Sequence, residues 1–571
     1  MSEEDKEAYS DEEAYSDANH DISSETEEEL TIETDEDEGT ALPISWKKAG
    51  AKWEVPQDAN IEKRILELIP EFAAKLSANS EPYEILSTLY ARNEYWQMIH
   101  QQTSLYNTWR SLQSGKKKRR KVLSPTIEEL KVFHGIVIYM GIVQLPNRRM
   151  YWQAKTRVDQ IANKMAFNRF SEIASLIHFN DNNIIPNRNS PDYNQWYKIQ
   201  PLIDHFRKCF SEVVQKETFL SIDEQVVPFK GKSGLKRYLK NKPKKWGYKL
   251  WALAGISGYV YDFEVDGMKG SHGPPPFSNP PAAVGESGYV VLRLSKSLEP
   301  NRHKIFFDNF FNSPELLQYL GRKHIWAIGT LNKKRSRKCP IKSETNMKKE
   351  GRGFSYEIVS SDGKIVVVPW YDNKTVLTMS NYQGTSPKTK CKRWDKKKKE
   401  SISIDRPASV TVYNKFMGGV DKSDMMLALY RTKYRTRKWY QRLAMHFFSQ
   451  SCVNAWIVHC SLCPDNSSSY IDFILDIALC LLHGQHNLLH CPENPEPQLK
   501  KKRVSRCDVP MVIRYDKYDH WPILCDLKNC ERCKMEGCNG KTKFKCSKCN
   551  LYLCVAKRDC FVAFHDPELR E

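Results

Sequence analysis

Three aspartates, Asp223, Asp308 and Asp421, interrupt sequence in which a bare carboxylate is costly unless something pairs it. Thr218-Phe219-Leu220-Ser221-Ile222-Asp223-Glu224-Gln225 has an apolar strand pattern with an acid in its middle. Lys304-Ile305-Phe306-Phe307-Asp308-Asn309-Phe310-Phe311 is β-prone, is bounded by Asn312-Ser313-Pro314, and is broken by an acid in the same way. Met417-Gly418-Gly419-Val420-Asp421-Lys422-Ser423-Asp424 places two acids at i and i+3, on one face of a helix. A single strand aspartate is ordinarily a capping or hydrogen-bonded residue. Carboxylates converging from two strands and a helix are instead the donor set that two Mg²⁺ ions need for in-line displacement at phosphorus, with Mn²⁺ able to substitute. On that reading Asp223, Asp308 and Asp421 are ligands, and Asp424 is a fourth ligand or a base beside them.

The elements that must position these acids change in character along the chain. From about 60 to 200 the apolar residues recur at three and four, as in Leu130, Phe133, Val137 and Met140, and Thr126 with Glu129 makes a capping box after Pro125. Strand patterns follow at 219–229, 249–256, 259–265 and 303–308, with Ser257-Gly258 as a hairpin turn. A helix at 314–323 and a strand at 326–331 continue an α/β alternation. The sequence then turns basic and irregular over 332–406, with short strands such as 364–370, an insertion between the second acid and the third. Two more helices are expected, from Asp421 to Tyr430 and from Lys438 to His459. His459-Cys460-Ser461-Leu462-Cys463 and the group His483, His486, His490, Cys491 have ligand residue types but lack a paired second half, and read as packing or surface residues.

Charge separates the chain into two opposite parts. Residues 1–40 hold 18 acids and one base, so the remaining body carries 87 bases against 51 acids. The acidic, Ser/Thr-rich start repeats Glu-Ala-Tyr-Ser-Asp at 7–11 and 13–17 and reads as a disordered tail. A body this basic implies a polyanionic partner. Lys230, Lys232, Lys236, Arg237, Lys240, Lys242, Lys244, Lys245 and Lys249 lie within twenty residues and are interleaved with Tyr238, Trp246 and Tyr248. Cations for phosphates and rings for bases are the ingredients of strand binding. Lys116-Lys117-Lys118-Arg119-Arg120-Lys121 reads as a nuclear localisation signal, with a phosphate-contacting loop as the alternative. No apolar run approaches the roughly 18 residues that span a bilayer, the longest being 136–143.

Six ordered segments carry a family resemblance: Arg169-Phe170-Ser171-Glu172-Ile173, Ile177-His178-Phe179-Asn180-Asp181-Asn182, Ser221-Ile222-Asp223-Glu224-Gln225, Asn241-Lys242-Pro243-Lys244-Lys245-Trp246-Gly247, Phe307-Asp308-Asn309-Phe310-Phe311 and Tyr413-Asn414-Lys415-Phe416-Met417-Gly418-Gly419-Val420-Asp421. They fall within a resembling region that runs from about 169 to 456, and the chain is identified as similar to the piggyBac family of DNA transposases and the proteins domesticated from them. The resemblance implies an RNase H-like catalytic core, a homodimeric assembly on double-stranded DNA, cleavage at transposon ends and joining into TTAA targets. It also implies an active-site role for Trp439, whose alternative is to pack on its own helix. A domesticated descendant that binds DNA or chromatin without catalysis is the competing reading.

The last fifty residues are cysteine-rich. Eight of the seventeen cysteines lie between Cys525 and Cys560, a density that suits metal in a reducing compartment better than disulfides. Cys530-x₂-Cys533 and Cys546-x₂-Cys549 form two knuckles, followed by Cys554, Cys560 and His565, enough for one or two structural Zn²⁺ ions. The eighth ligand is Cys538, Cys525 or His520. The family resemblance implies a DNA-binding module here. The expected organisation is therefore a mixed α/β chain with an acidic tail (1–45), a helical dimerisation and DNA-binding region (46–215), and an RNase H-like core (216–331) interrupted by the insertion (332–406). The core resumes with the third acid (407–465), then a helical segment and basic linker (466–519) lead to the zinc-binding domain (520–571).

Overall fold

Apolar residues at intervals of three and four become helices α1 (Pro82–Leu89), α2 (Asn93–Gln113), α3 (Ile127–Ile142), α4 (Phe167–Leu176) and α5 (Gln200–Glu212). The computed structural model describes residues 44–47, 53–113, 123–240, 242, 245–267, 282–395, 399–432, 434–465, 467–484, 509, 514–527, 529–556 and 558–566. The acidic tail to residue 43, the basic run 116–121, Lys244 and the linker with His486, His490 and Cys491 lie outside the described residues. Helix α3 opens with the expected capping box: Thr126 Oγ1 accepts from Glu129 N at 3.2 Å, and Glu129 Oε2 accepts from Thr126 N at 3.0 Å. The same Glu129 carboxylate receives both Arg169 Nε and Nη2 at 2.7 Å, which joins α3 to α4.

Period-2 sequence forms the sheet that follows. Strand β1 (Phe219–Pro228) pairs antiparallel with β2 (Trp246–Gly255), and β2 pairs antiparallel with β3 (Val260–Val265). Gly258, at φ +92°, makes the turn between β2 and β3, a backbone conformation that a side chain disfavours. After α6 (Gly285–Leu294), strand β4 (Lys304–Phe307) lies parallel to β1. Ser313 then caps α7 (Pro314–Arg322) by accepting from Leu316 N, and β5 (Trp326–Thr330) lies parallel to β4. The order β3-β2-β1-β4-β5, antiparallel and then parallel, is the arrangement expected of an RNase H-like sheet.

The segment 332–406 is less separate than its irregular sequence suggests. Its strands β6 (Ile358–Val359), β7 (Val366–Tyr371) and β8 (Thr375–Ser380) extend the central sheet, with β8 antiparallel to β5 at Met379↔Gly329. Strands β9 (Thr389–Asp395) and β10 (Glu400–Arg406) form a ribbon of their own. Helices α8 (Ala408–Phe416), α9 (Gly419–Leu429), α10 (Trp439–Leu462) and α11 (Tyr470–His483) complete this part of the chain. A Cβ on Gly135 of α3 would come within 2.9 Å of Leu481 Cβ, so α11 packs directly on α3. Helix α11 thus packs within the first of the two compact units. His459 lies 3.1 Å from Ser468 Oγ, a hydrogen bond that gives it a packing role.

The chain divides into two compact units at 488/489. Among the described residues no helix is long and apolar enough to cross a membrane.

Helix α9 reaches the sheet through Gly419. A Cβ there would fall 2.5 Å from Gly255 O and 2.6 Å from Ser221 Oγ, closer than carbon can approach either. We predict that Gly419→Ala forces α9 off β1 and β2 and destabilises the protein by about 1–3 kcal/mol, measured by urea denaturation. A variant as stable as the wild type would show that the contact is not tight.

Candidate active site and metal-binding tail

Register brings the first two acids together. Ile222 of β1 stands beside Phe307 of the parallel strand β4, so the next residue on each chain is an aspartate, Asp223 beside Asp308. The backbone turns immediately after Asp308, whose Oδ1 accepts from Phe310 N at 2.8 Å. Across β1, Asp223 faces the small residue Ala252. The third acid arrives with α9. Ser221 Oγ accepts from Val420 N at 3.2 Å and donates to Ala254 O at 3.4 Å, pinning the first turn of α9 to the strand that carries Asp223. Asp421 lies in that first turn, where the exposed N–H groups favour a carboxylate.

Burial and mutual repulsion mark these acids. Desolvation pushes Asp223 from its ordinary 3.8 up to about 7, and the charges of Asp308 and Asp421 push the same way. Asp308 is raised by burial, with Glu224 adding to the shift. Asp424 rises to about 6, again by burial first, with Asp421 contributing. Its Oδ1 is buried without a hydrogen-bond partner. An orphaned carboxylate oxygen beside three further acids is a donor set that fits a hard divalent cation. The four acids are not drawn as close as the ligand groups of the tail, whose atoms converge within 4.8 Å.

A buried polar layer supports this edge. Gln225, two residues beyond Asp223, meets His446 Nε2 at 3.1 Å and Gln450 Oε1 at 3.4 Å. Gln450 Nε2 donates to Ser423 Oγ at 3.0 Å and to Asn454 Oδ1 at 3.2 Å, and Asn454 Nδ2 donates to Val260 O at 2.9 Å. The layer therefore ties α9 and α10 to β1 and β3. Burial, reinforced by Arg431 and Arg442, holds His446 down to about 3, so its imidazole is neutral. The spacing of four between His446, Gln450 and Asn454, a polar stripe on an apolar helix, was the sequence signal for this layer. Tyr413 is a further residue of the site: burial raises its phenol, and the charges of Asp308, Asp223 and Asp421 all add to that shift.

The basic segment is used unevenly. Lys230, Lys232 and Lys245 are exposed, and Lys236 sits 4.9 Å over the ring of Trp246, which is half-exposed beside Tyr238. Arg237 instead pairs with Asp266 at 3.0 Å, and Lys242 lies 3.7 Å from Glu224, next to Asp223. Trp439 packs edge-on against Trp196, ring centroids 5.5 Å apart, with Tyr248 alongside. That contact gives the ring a packing role on the first turn of α10.

The tail gathers two groups of four ligand-type side chains. One is His520, Cys546, Cys549 and His565; the other is Cys533, Cys538, Cys554 and Cys560. Two of the three alternatives for an eighth ligand, Cys538 and His520, thus both enter. The pairing expected from Cys530-x₂-Cys533 is corrected: Cys530 is exposed and lies outside both groups, and Cys538 takes its place. The reason is local. Gly537, at φ +78°, turns the chain back, and Gly540 N donates to Cys538 Sγ at 3.4 Å. A Cβ on Gly540 would lie 2.9 Å from Cys554 Sγ, so the loop closes tightly around the sulfurs. The second knuckle repeats the pattern, Cys549 N donating to Cys546 Sγ at 3.4 Å.

Both histidines are oriented from behind. His565 Nδ1–H donates to Phe561 O at 2.8 Å, leaving Nε2 3.2 Å from Cys549 Sγ. His520 Nε2 meets Asp516 Oδ1 at 3.0 Å, leaving Nδ1 3.3 Å from Cys546 Sγ. A carbonyl or carboxylate on the far nitrogen is how ligand histidines are usually fixed. The Gly540 N–H, with Cys560 and Arg558, draws the Cys538 thiol down to about 6. Cys₄ and Cys₂His₂ donor sets of this chemistry fit structural Zn²⁺.

Comparison with known proteins points one way. A family model described as Transposase IS4 matches residues 81–456. The human PiggyBac transposable element-derived protein 3 is 31% identical over 491 residues, covering 85% of this chain and 76% of that protein. The human PiggyBac transposable element-derived protein 2 is 29% identical over 419 residues, covering 72% of this chain and 67% of that protein. A cryo-EM structure of the piggyBac transposase synaptic complex with hairpin DNA superposes with a TM-score of 0.59, covering 86% of this chain and 99% of that one at 18% identity, a likeness of fold.

Two predictions follow from the geometry. Because Asp223 holds its proton more tightly folded than unfolded, stability falls as pH climbs from about 4 through about 7 and the penalty is complete above that. In chelator, Asp223→Asn should be more stable than wild type at pH 8, by up to about 4 kcal/mol, with the difference vanishing near pH 4. Urea denaturation across pH reads this, and a wild type that is the more stable at pH 8 contradicts it. For the tail, native mass spectrometry should find two zinc ions per chain in the wild type and in Cys530→Ser, and fewer in Cys538→Ser. Equal loss in both variants would return Cys530 to the ligand set.

Proposed function

Because the chain belongs to the piggyBac family of transposases, we propose that it is a cut-and-paste DNA transposase that cleaves transposon ends and joins them into TTAA sites. One observation carries the reading: Asp223 within β1 and Asp308 just past the end of the parallel strand β4 stand side by side in register, and Ser221 fastens the helix start that bears Asp421 to the same place. Asp223, Asp308 and Asp421 would hold two Mg²⁺ ions, with Mn²⁺ able to substitute, and Asp424 would complete the set through its unpartnered oxygen. Such ions supply the charge that activates a water or 3′-hydroxyl and stabilises the leaving oxygen.

The chain's own residues bind and orient the strand. Lys242 and Lys249 neutralise Glu224 beside the acids, keeping one more negative charge from repelling a phosphate. Lys230, Lys232, Lys236 and Lys245 offer phosphate contacts, and Tyr238 with Trp246 offers rings for unpaired bases. Trp439, braced by Trp196, would hold the end of a displaced strand with its remaining face. Two Zn²⁺ ions would fold the tail into a DNA-recognition module. A homodimer acting in the nucleus, directed by the basic run 116–121, completes the proposal.

A domesticated DNA- or chromatin-binding protein is the second reading, favoured by relatives described as transposable element-derived proteins. Asp308→Asn removes a charge and keeps the shape. In single-turnover nicking of a labelled TTAA-flanked end in Mg²⁺, it should lower the rate by about 10³-fold or more while DNA binding survives. Wild-type protein that binds such ends without cleaving any of them would establish the binder instead.

A further inference from the structure

At the end of β1 and β4 remote from the acids, a cavity of about 380 Å³ is lined by Arg64, Lys216, Arg302 and His303, with Glu299 and Ser297. Its walls are firmly built. Thr218 Oγ1 accepts from Arg64 N at 2.7 Å and donates to Glu62 O at 3.0 Å, holding Arg64 against the start of β1. The strand pair Glu67–Leu68 and Val214–Gln215 forms a second side and delivers Lys216 from its end. His303 is buried, and its Nδ1–H donates to Glu217 O at 2.9 Å, which fixes the ring.

Charge in this cavity is unbalanced. Glu299 pairs with Arg302 at 2.8 Å, whereas neither Arg64 nor Lys216 has an ion-pair partner among the described residues. Burial disfavours the Lys216 ammonium against the pull of Asp262 and Glu299, and burial first, then the charges of Lys216 and Arg64, disfavour a proton on His303, with Glu299 opposing them. Converging, half-buried cations are costly unless an anion joins them. Three cations against one carboxylate leave two positive charges, the complement of a phosphate. His303 precedes Asp308 by five residues of strand, roughly 17 Å. An anion here is therefore not the one at the acids.

We propose that this cavity is a phosphate-binding site, separate from the acid cluster, in which Lys216 and Arg64 are the principal contacts. The phosphate belongs either to a free phosphate-bearing molecule or to the backbone of a DNA duplex passing this edge of the sheet.

The full-length protein should bind inorganic phosphate in calorimetry, and phosphate should raise its melting temperature above that in chloride at matched ionic strength. Lys216→Gln and Arg64→Gln should each weaken phosphate binding about tenfold or more. Neither change breaks an ion pair, so both variants should melt cooperatively without phosphate. Lys374→Gln, on an exposed turn, should bind as wild type does. A duplex of unrelated sequence, with wild type and Lys216→Gln compared across salt concentrations, identifies the source. A salt slope smaller by roughly one in the variant assigns the site to a backbone phosphate, and an unchanged slope with lost phosphate binding assigns it to a free phosphate. Both support the site. Phosphate binding of equal strength in the wild type and both cavity variants overturns it, as does the absence of any phosphate effect together with an unchanged salt slope.

Discussion

Like charges held together at one end of a sheet are the constraint on which the larger unit depends. Burial disfavours ionisation of Asp223, Asp308 and Asp424, and neighbouring carboxylates add to the cost: Asp308 and Asp421 at Asp223, Glu224 at Asp308, and Asp421 at Asp424. No packing preference would assemble them. They stay because elements stabilised elsewhere leave no room to separate: two parallel strands in fixed register, and a helix whose first turn is hydrogen-bonded to one of them. Strain of this kind is common where a protein prepares a site for a cation.

The support is polar as well as apolar. A purely hydrophobic interface between α9, α10 and β1 would permit sliding, because apolar contacts have little direction. The Gln225, His446, Gln450, Ser423 and Asn454 layer has one satisfactory arrangement, since an unmatched donor or acceptor inside the unit is penalised. Neutral His446 suits this layer, as a charged imidazole would meet Arg431 and Arg442. The layer thus helps fix the helix that bears Asp421 and Asp424 to the strand that bears Asp223.

The tail obeys different physics. Among the described residues its core consists of eight buried residues, half of them cysteines, too little apolar surface to order fifty residues by itself. Order comes from short N–H···S contacts and from histidines oriented by Phe561 O and Asp516. Metal ligation by the two groups would take the place of a hydrophobic core, and folding and metal loading would then be one equilibrium.

Much of the fold was legible in the sequence, because its signals are local. Period-2 strands, the Thr126 capping box, the Ser257-Gly258 turn and acids embedded in apolar strands all depend on neighbours within a few residues. Distances through space decided the rest. The C-x₂-C spacing favoured Cys530 as the partner of Cys533 and left Cys538 as one of three further candidates, whereas the turn at Gly537 places the Cys538 sulfur in the group while Cys530 stays exposed. In the irregular segment 332–406 a short strand at 364–370 was legible, but not its place in the main sheet, because edge pairing is set by the partner strand and leaves little trace in composition. Trp439 carried two readings, and only the structure shows that one edge of its ring packs on Trp196. The sequence by itself determined which residues could do chemistry and the elements that bear them; the tertiary structure alone decided which of them meet, since meeting depends on register, helix approach and burial across hundreds of residues.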